Sequence, residues 1–150
     1  MKIFSKSNGY AVCKDSLVYL KKLEDNSIDL IITSPPFALT REKAYGNKKG
    51  EEYMDWLKEF GEVFYQKLKP EGSLVIDFGG SWTPGTPTRN LHQFKIPILF
   101  CEELNFHLAQ EFFWWNTSKM PTPASWVTIA RKRVTDSVNY IFWFSKTPNP

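Results

Sequence analysis

The sequence has no apolar run long enough to cross a membrane. A run such as residues 28–32, with Asp29 inside it, falls far short of the about 20 residues that a span needs. Only Ile3 and Phe4 separate Lys2 from the polar Ser5-Lys6-Ser7-Asn8, so no secretory leader is legible and a cytoplasmic location is expected. Cysteine is scarce. Cys13 and Cys101 are the only two, and without a leader the simpler reading is a pair of reduced thiols. Histidine is equally rare: His92 and His107 stand at no ligand spacing from one another or from an acidic pair, so no metal is expected. A strong charge of one sign is missing too, since 19 Lys and Arg against 16 Asp and Glu leave +3. That excess is too small to announce nucleic-acid binding, and the distribution of charge has to decide.

What is present fits one globular domain, residues 1–150. A chain of 150 residues can bury roughly 70% of its unfolded surface, and 42% apolar with 23% charged residues excludes a disordered or low-complexity chain. Aromatic residues are abundant: 12 Phe, 6 Trp and 6 Tyr make 16%. Such a load means a heavily packed core, with a flat-ring binding surface as the sharper alternative.

The pattern along the chain alternates strands and helices. Residues 10–13 read as a short strand, followed by Asp15-Ser16 as a helix N-cap and by Leu17, Tyr19, Leu20 and Leu23 at helical spacing. Residues 28–32 form an apolar β-branched run typical of a strand buried on both faces. Pro35-Pro36 must end it in an extended or turn segment. A polar, basic loop spans 39–50, then Tyr53, Trp56, Leu57, Phe60, Val63, Phe64 and Leu68 predict an amphipathic helix over 51–69. Pro70-Glu71-Gly72 should stop it, and residues 73–78 complete a right-handed βαβ unit. After a Gly-, Pro- and Thr-rich loop at 79–88, a helix is expected over 96–105 with Pro97 in its first turn, then strands at 108–115 and 138–144. The sum is an open, mostly parallel α/β sheet with a final antiparallel strand pair.

Ligands of such sheets bind beyond the carboxyl ends of the strands, where Ser34-Pro35-Pro36-Phe37 lies. A tetrapeptide of Asp, Asn or Ser, then Pro-Pro, then an aromatic arises by chance in roughly one chain in two hundred of this length. Its chemistry suits methylation of an exocyclic amine, whose lone pair is conjugated with a ring until the nitrogen rehybridises. The Ser34 hydroxyl and the Pro35 carbonyl can accept the two amine hydrogens, and consecutive prolines hold that carbonyl rigidly. Phe37 can stack on a flipped-out base. The plain alternative is a Pro-Pro turn whose Phe37 plugs the core.

Thr33-Ser34-Pro35-Pro36-Phe37, with Ala38-Leu39 and Ala44-Tyr45-Gly46-Asn47, resembles the catalytic motif of the amino-methylating DNA methyltransferases. Within that family it looks like the cytosine-N4 type of bacterial restriction-modification systems, which carries Ser at the first position. Leu68-Lys69-Pro70-Glu71-Gly72-Ser73, Asp77-Phe78-Gly79-Gly80 and Trp143-Phe144-Ser145-Lys146 extend the likeness over nearly the whole chain. The resemblance implies a Rossmann-like, S-adenosylmethionine-dependent methyltransferase fold. It also implies S-adenosylmethionine as methyl donor, direct in-line transfer, double-stranded DNA as partner and a flipped cytosine. Asp15 matches the acidic residue that approaches the cofactor's adenine, although Lys14 stands where Gly is usual; a plain helix N-cap is the competing reading.

Asp77-Phe78-Gly79-Gly80-Ser81-Trp82-Thr83 looks like the family's glycine-rich cofactor segment, but Trp82 displaces the next glycine and Pro84 follows. Its place one βαβ unit after the tetrapeptide matches instead a loop on the target-base side. The cofactor-binding segment is then absent, as expected for the first part of a circularly permuted enzyme, either truncated or completed by a complementary chain or segment. Residues 112–135 hold no acidic residue, while Lys119, Arg131, Lys132 and Arg133 are basic; with Arg41 and Lys43 they are candidates for phosphate contacts, against a solvated basic loop. Trp114-Trp115 closes a strand at that edge and either lines the base pocket or packs in the core. The alternatives in function are a catalytically silent DNA-binding fragment and an enzyme of adenine N6 or another conjugated amine.

Overall fold

A computed structural model describes residues 2–6, 8–36 and 50–150, with side chains over 8–36 and 52–150. Phe37, Arg41 and Lys43 lie outside the described residues. The chain opens with strands β1 (Lys2–Lys6) and β2 (Gly9–Val12), which pair antiparallel in their own two-stranded sheet. Neither strand joins the main sheet. Helix α1 (Ser16–Leu20) follows, capped by Asp15.

Strand β3 (Ile28–Thr33), helix α2 (Gly50–Lys67) and strand β4 (Leu68–Phe78) form the expected parallel βαβ unit. The helix gives way to β4 directly after Lys67, and Pro70-Glu71-Gly72 lies within the strand rather than before it. The pairing with β3 slips between Ile28 and Leu30, so Pro70 meets no regular ladder that would require its missing N–H. Helix α3 (His92–Glu102) starts four residues earlier than the periodicity suggests, which puts Pro97 in its interior. Buried Gln93, Ile96, Leu99 and Phe100 hold this helix on the core despite the lost hydrogen bond. Strands β5 (His107–Trp115) and β6 (Val138–Ser145) come last, and the loop between them contains a π-helical segment, Ser125–Ile129, that no sequence pattern announces.

The main sheet has the order β3-β4-β6-β5. β6 is antiparallel to both neighbours, so β3, β4 and β5 run one way and β6 alone runs back. The helices cover one face. There Leu74, Ile76 and Phe78 of β4 and Phe142 and Phe144 of β6 are buried with Tyr53 and Leu57 of α2 and Ile96 and Phe100 of α3. Phe100 stacks on Phe144 at 5.2 Å and lies 5.5 Å from Phe106, so much of the aromatic load is core. Close approach of α2 to α3 depends on Gly61, where a Cβ would fall 2.3 Å from the Leu104 Cδ1.

Alternation along the strands sends Leu30, Ile32, Val75, Asp77, Ile141, Trp143, Phe112 and Trp114 to the other face. Much of that face is open: Ile32 is 70% exposed and Leu30 50%, contrary to the expectation of a strand buried on both sides. Trp114 and Trp115 are also exposed. No helix among the described residues is long and apolar enough to cross a membrane.

Candidate active site

The register of the parallel pair builds the site. Thr33 of β3 lies level with Ile76 of β4, so the next residue of each strand, Ser34 and Asp77, stand side by side at the carboxyl ends. The Ser34 hydroxyl donates to the Asp77 Oδ2 at 3.3 Å, longer than the usual 2.5–3.0 Å for such bonds. The other carboxylate oxygen, Oδ1, is buried without a hydrogen-bond partner among the described residues. A buried oxygen in that state is open to a hydrogen-bond donor. Ser34 is exposed and Pro35 and Pro36 are half-buried, so the tetrapeptide can be reached from solvent.

A cavity of about 380 Å³ opens between α1, the end of β3 and α2, lined among others by Val12, Tyr19, Ser34, Pro35, Trp56 and Phe60. Its size falls within the range of small-molecule sites. The Asp15 carboxylate is turned to α1, accepting from the Val18 N–H at 2.9 Å; its neighbours Lys14 and Ser16 are the ones that reach the cavity wall. The helix-cap reading of Asp15 therefore describes what its side chain does in this structure.

The basic candidates separate. Lys119 turns inward, donating to the Val138 carbonyl at 3.2 Å and to the Asn139 Oδ1 at 2.9 Å, and so satisfies a buried amide. Arg131 and Lys132 are exposed, Arg131 with a left-handed φ of 51° just past the π-helical segment. Arg133 instead packs on the Trp82 ring, which Arg89 also covers at 5.0 Å. Burial pushes the Arg133 pKa down, Asp136 raises it and Arg89 lowers it. Arg89 is ion-paired with Asp136 at 2.9 Å.

Gly80 belongs to the same arrangement: a Cβ there would fall 1.9 Å from the Arg89 Nη2. The absent side chain thus makes room for an arginine of the protein. Sequence reasoning noticed Asp77 only as part of the Asp77 to Thr83 segment. Its partnership with Ser34 required the strand register, one residue past the last paired positions. Arg89 and Trp82 gave no sequence signal of their association.

The chain is similar to known DNA methylases. Residues 28–150 match the DNA methylase family N6_N4_Mtase. The type II methyltransferase M.PvuII of Proteus hauseri is 47% identical over 147 residues, covering 98% of this chain and 44% of that protein. The solved PvuII DNA methyltransferase (cytosine-N4-specific) superposes with a TM-score of 0.86 at 46% identity, over 97% of this chain and 52% of that one. TTHA0409 of Thermus thermophilus, solved with S-adenosyl-L-methionine, shares the fold at a TM-score of 0.63 and 20% identity, over 87% of this chain and 50% of that one. The chain spans about half the length of the relatives it matches. Its sheet is part of the Rossmann-like methyltransferase fold, and the chain belongs to the N6_N4_Mtase family of DNA methylases.

Proposed function

We propose that this chain is the catalytic portion of a cytosine-N4-specific DNA methyltransferase that modifies a flipped-out base in double-stranded DNA in the cytoplasm. The observation that carries the reading is the Ser34 hydroxyl against Asp77 at the ends of two parallel strands, in a chain 47% identical to M.PvuII. The target amine donates one hydrogen to the Ser34 oxygen and the other to the Pro35 carbonyl, which favours the pyramidal nitrogen that can attack. Asp77 takes up the Ser34 hydroxyl hydrogen and so keeps the serine lone pairs turned to the amine. The proton that the amine releases on alkylation passes through Ser34 to Asp77, whose Oδ1 has no partner among the described residues. Phe37, next in sequence, stacks on the base. Arg41, Lys43, Arg131 and Lys132 contribute phosphate contacts, whereas Lys119 acts through the fold.

S-adenosylmethionine, when bound, supplies an electrophilic methyl group. The described residues fit one side of it: Tyr19, Trp56 and Phe60 offer rings to an adenosyl group in the cavity, with Asp15 and Lys14 at the start of α1. They offer no glycine-rich turn for the rest. Open Leu30 and Ile32 on β3 support a complementary cofactor-binding segment beside that strand, because parallel sheets are covered on both faces.

Two measurements test the proposal. Calorimetry of the chain alone with S-adenosylmethionine is expected to show no micromolar binding; such binding overturns the need for a complement. The chain produced with the segment of M.PvuII that it does not cover should methylate DNA, and mass analysis of the nucleosides should show N4-methylcytosine. N6-methyladenine overturns the assignment of the target. No methylation by an assembled, cofactor-binding complex points to a silent DNA-binding fragment.

A further inference from the structure

Beyond the Ser34 and Asp77 pair, one cluster at the same end of the sheet carries more positive charge than the protein neutralises. Trp82 lies five residues past Asp77 and pairs with Arg89 in an isolated antiparallel bridge. Arg89 and Arg133 both lie on its indole ring, and Asp136 is ion-paired with Arg89. The Arg89 Nε and the Arg133 Nη1 are buried with no acceptor among the described residues. Gly80 is without a side chain where the Arg89 guanidinium passes. Each feature fixes the planes of the arginines, and none supplies the missing acceptors. Leaving buried charged donors unpaired is costly. An oxyanion that draws the two guanidinium groups onto itself would remove that penalty.

We propose that Arg89 and Arg133, held on Trp82, form a clamp for one backbone phosphate of the DNA strand that presents the target base. Planar guanidinium groups stacked on an aromatic ring bind a phosphate's oxygens in a fixed fork, which a flexible ammonium cannot do. The distance suits the role. Five residues of chain reach at most about 18 Å, which is about five nucleotide steps of 3.4 Å along one strand. The clamp therefore holds the strand close to the extruded nucleotide and fixes its register without reading its sequence. Asp136 orients Arg89 and tempers the attraction. The inference rests on the DNA-methylating reading above, with Arg89 and Trp82 added to the contacts expected from the basic loop.

The test combines two observations on the chain itself. Titration with a dinucleoside phosphodiester should shift the Nε–H resonances of Arg89 and Arg133 in nitrogen–proton correlation spectra. Duplex binding, followed by anisotropy from about 50 to about 200 mM salt, should show that Arg133→Gln makes the slope of log affinity on log salt shallower by about 0.9. Asp136→Asn should tighten binding at low salt, whereas a merely structural cluster would have both substitutions weaken it. Unshifted resonances with an unchanged slope in Arg133→Gln overturn the clamp and leave DNA binding standing. Shifts with S-adenosylmethionine but not with the diester also overturn it, assigning the cluster to the cofactor's carboxylate. Shifts with the diester in a chain that binds no duplex support a phosphate site and overturn the DNA reading instead.

Discussion

Ser34 and Asp77 come within 3.3 Å because Thr33 and Ile76 lie level in a parallel pair, and the side chains one step further share a face. Forty-three positions separate them in sequence. The contact is long for a hydrogen bond, as catalytic contacts often are before substrate arrives. It also gives the serine an acceptor whose second oxygen has no partner among the described residues.

Asp77→Asn keeps the shape of that acceptor but removes its charge and its capacity for a proton. In the complex assembled with a cofactor-binding segment, single-turnover methyl transfer should fall by about 10²- to 10⁴-fold, with DNA affinity little changed. Equal losses in both would assign Asp77 a structural role. Because the Asp77 Oδ1 is buried without a partner among the described residues, the amide should leave the thermal midpoint unchanged or raise it.

Gly61→Ala sets two effects against each other. Alanine gains about 1 kcal/mol of helix propensity over glycine in a helix interior. Its Cβ would stand 2.3 Å from the Leu104 Cδ1 and 3.1 Å from the Phe100 Cζ, and both neighbours are buried. Overpacking of this kind costs about 1–3 kcal/mol, so denaturant unfolding should report a net loss. In a Leu104→Ala background the same change should be neutral or stabilising.

Phe100→Ala should be among the most damaging single changes. The ring is fully buried and contacts both Phe106 and Phe144, which joins α3 to the sheet. Truncations of this kind cost about 3–5 kcal/mol. Trp115→Ala, by contrast, removes a side chain that is 70% exposed and should shift the urea midpoint little.

The contrast between these two aromatics shows what was legible in the sequence. Periodicity placed α2 and the βαβ unit because their apolar faces meet a core within the chain. The same reasoning expected residues 28–32 to be buried on both sides, yet Leu30 and Ile32 are open. An apolar pattern states a demand for cover without saying where the cover comes from. Ser34 to Phe37 stood out because Pro-Pro stiffens the backbone at a strand end, a local property. Asp77 and the Arg89, Trp82 and Arg133 cluster depend on register and on loop paths, which local spacing does not encode. Pro97 misled for a related reason: helix-start rules gave it the first turn, but the buried face of α3 extends back to Gln93 and outweighs the missing bond.

His92 gives the fold a pH dependence. Its imidazole lies 6.0 Å from the Tyr53 ring, and burial pushes its pKa below the ordinary 6.5, with Lys95 adding to the shift. The folded chain therefore prefers neutral His92, while the unfolded chain takes up a proton near pH 6.5. Stability from this group is complete above that pH and is lost as pH falls toward the depressed folded value, because the unfolded state then binds more protons. Urea midpoints should decline as pH falls below about 6.5, above the range in which carboxylates titrate. His92→Phe keeps a ring against Tyr53 and removes the titration, so its midpoint should be flatter across the same interval. An unchanged decline in that variant would place the proton uptake on another group.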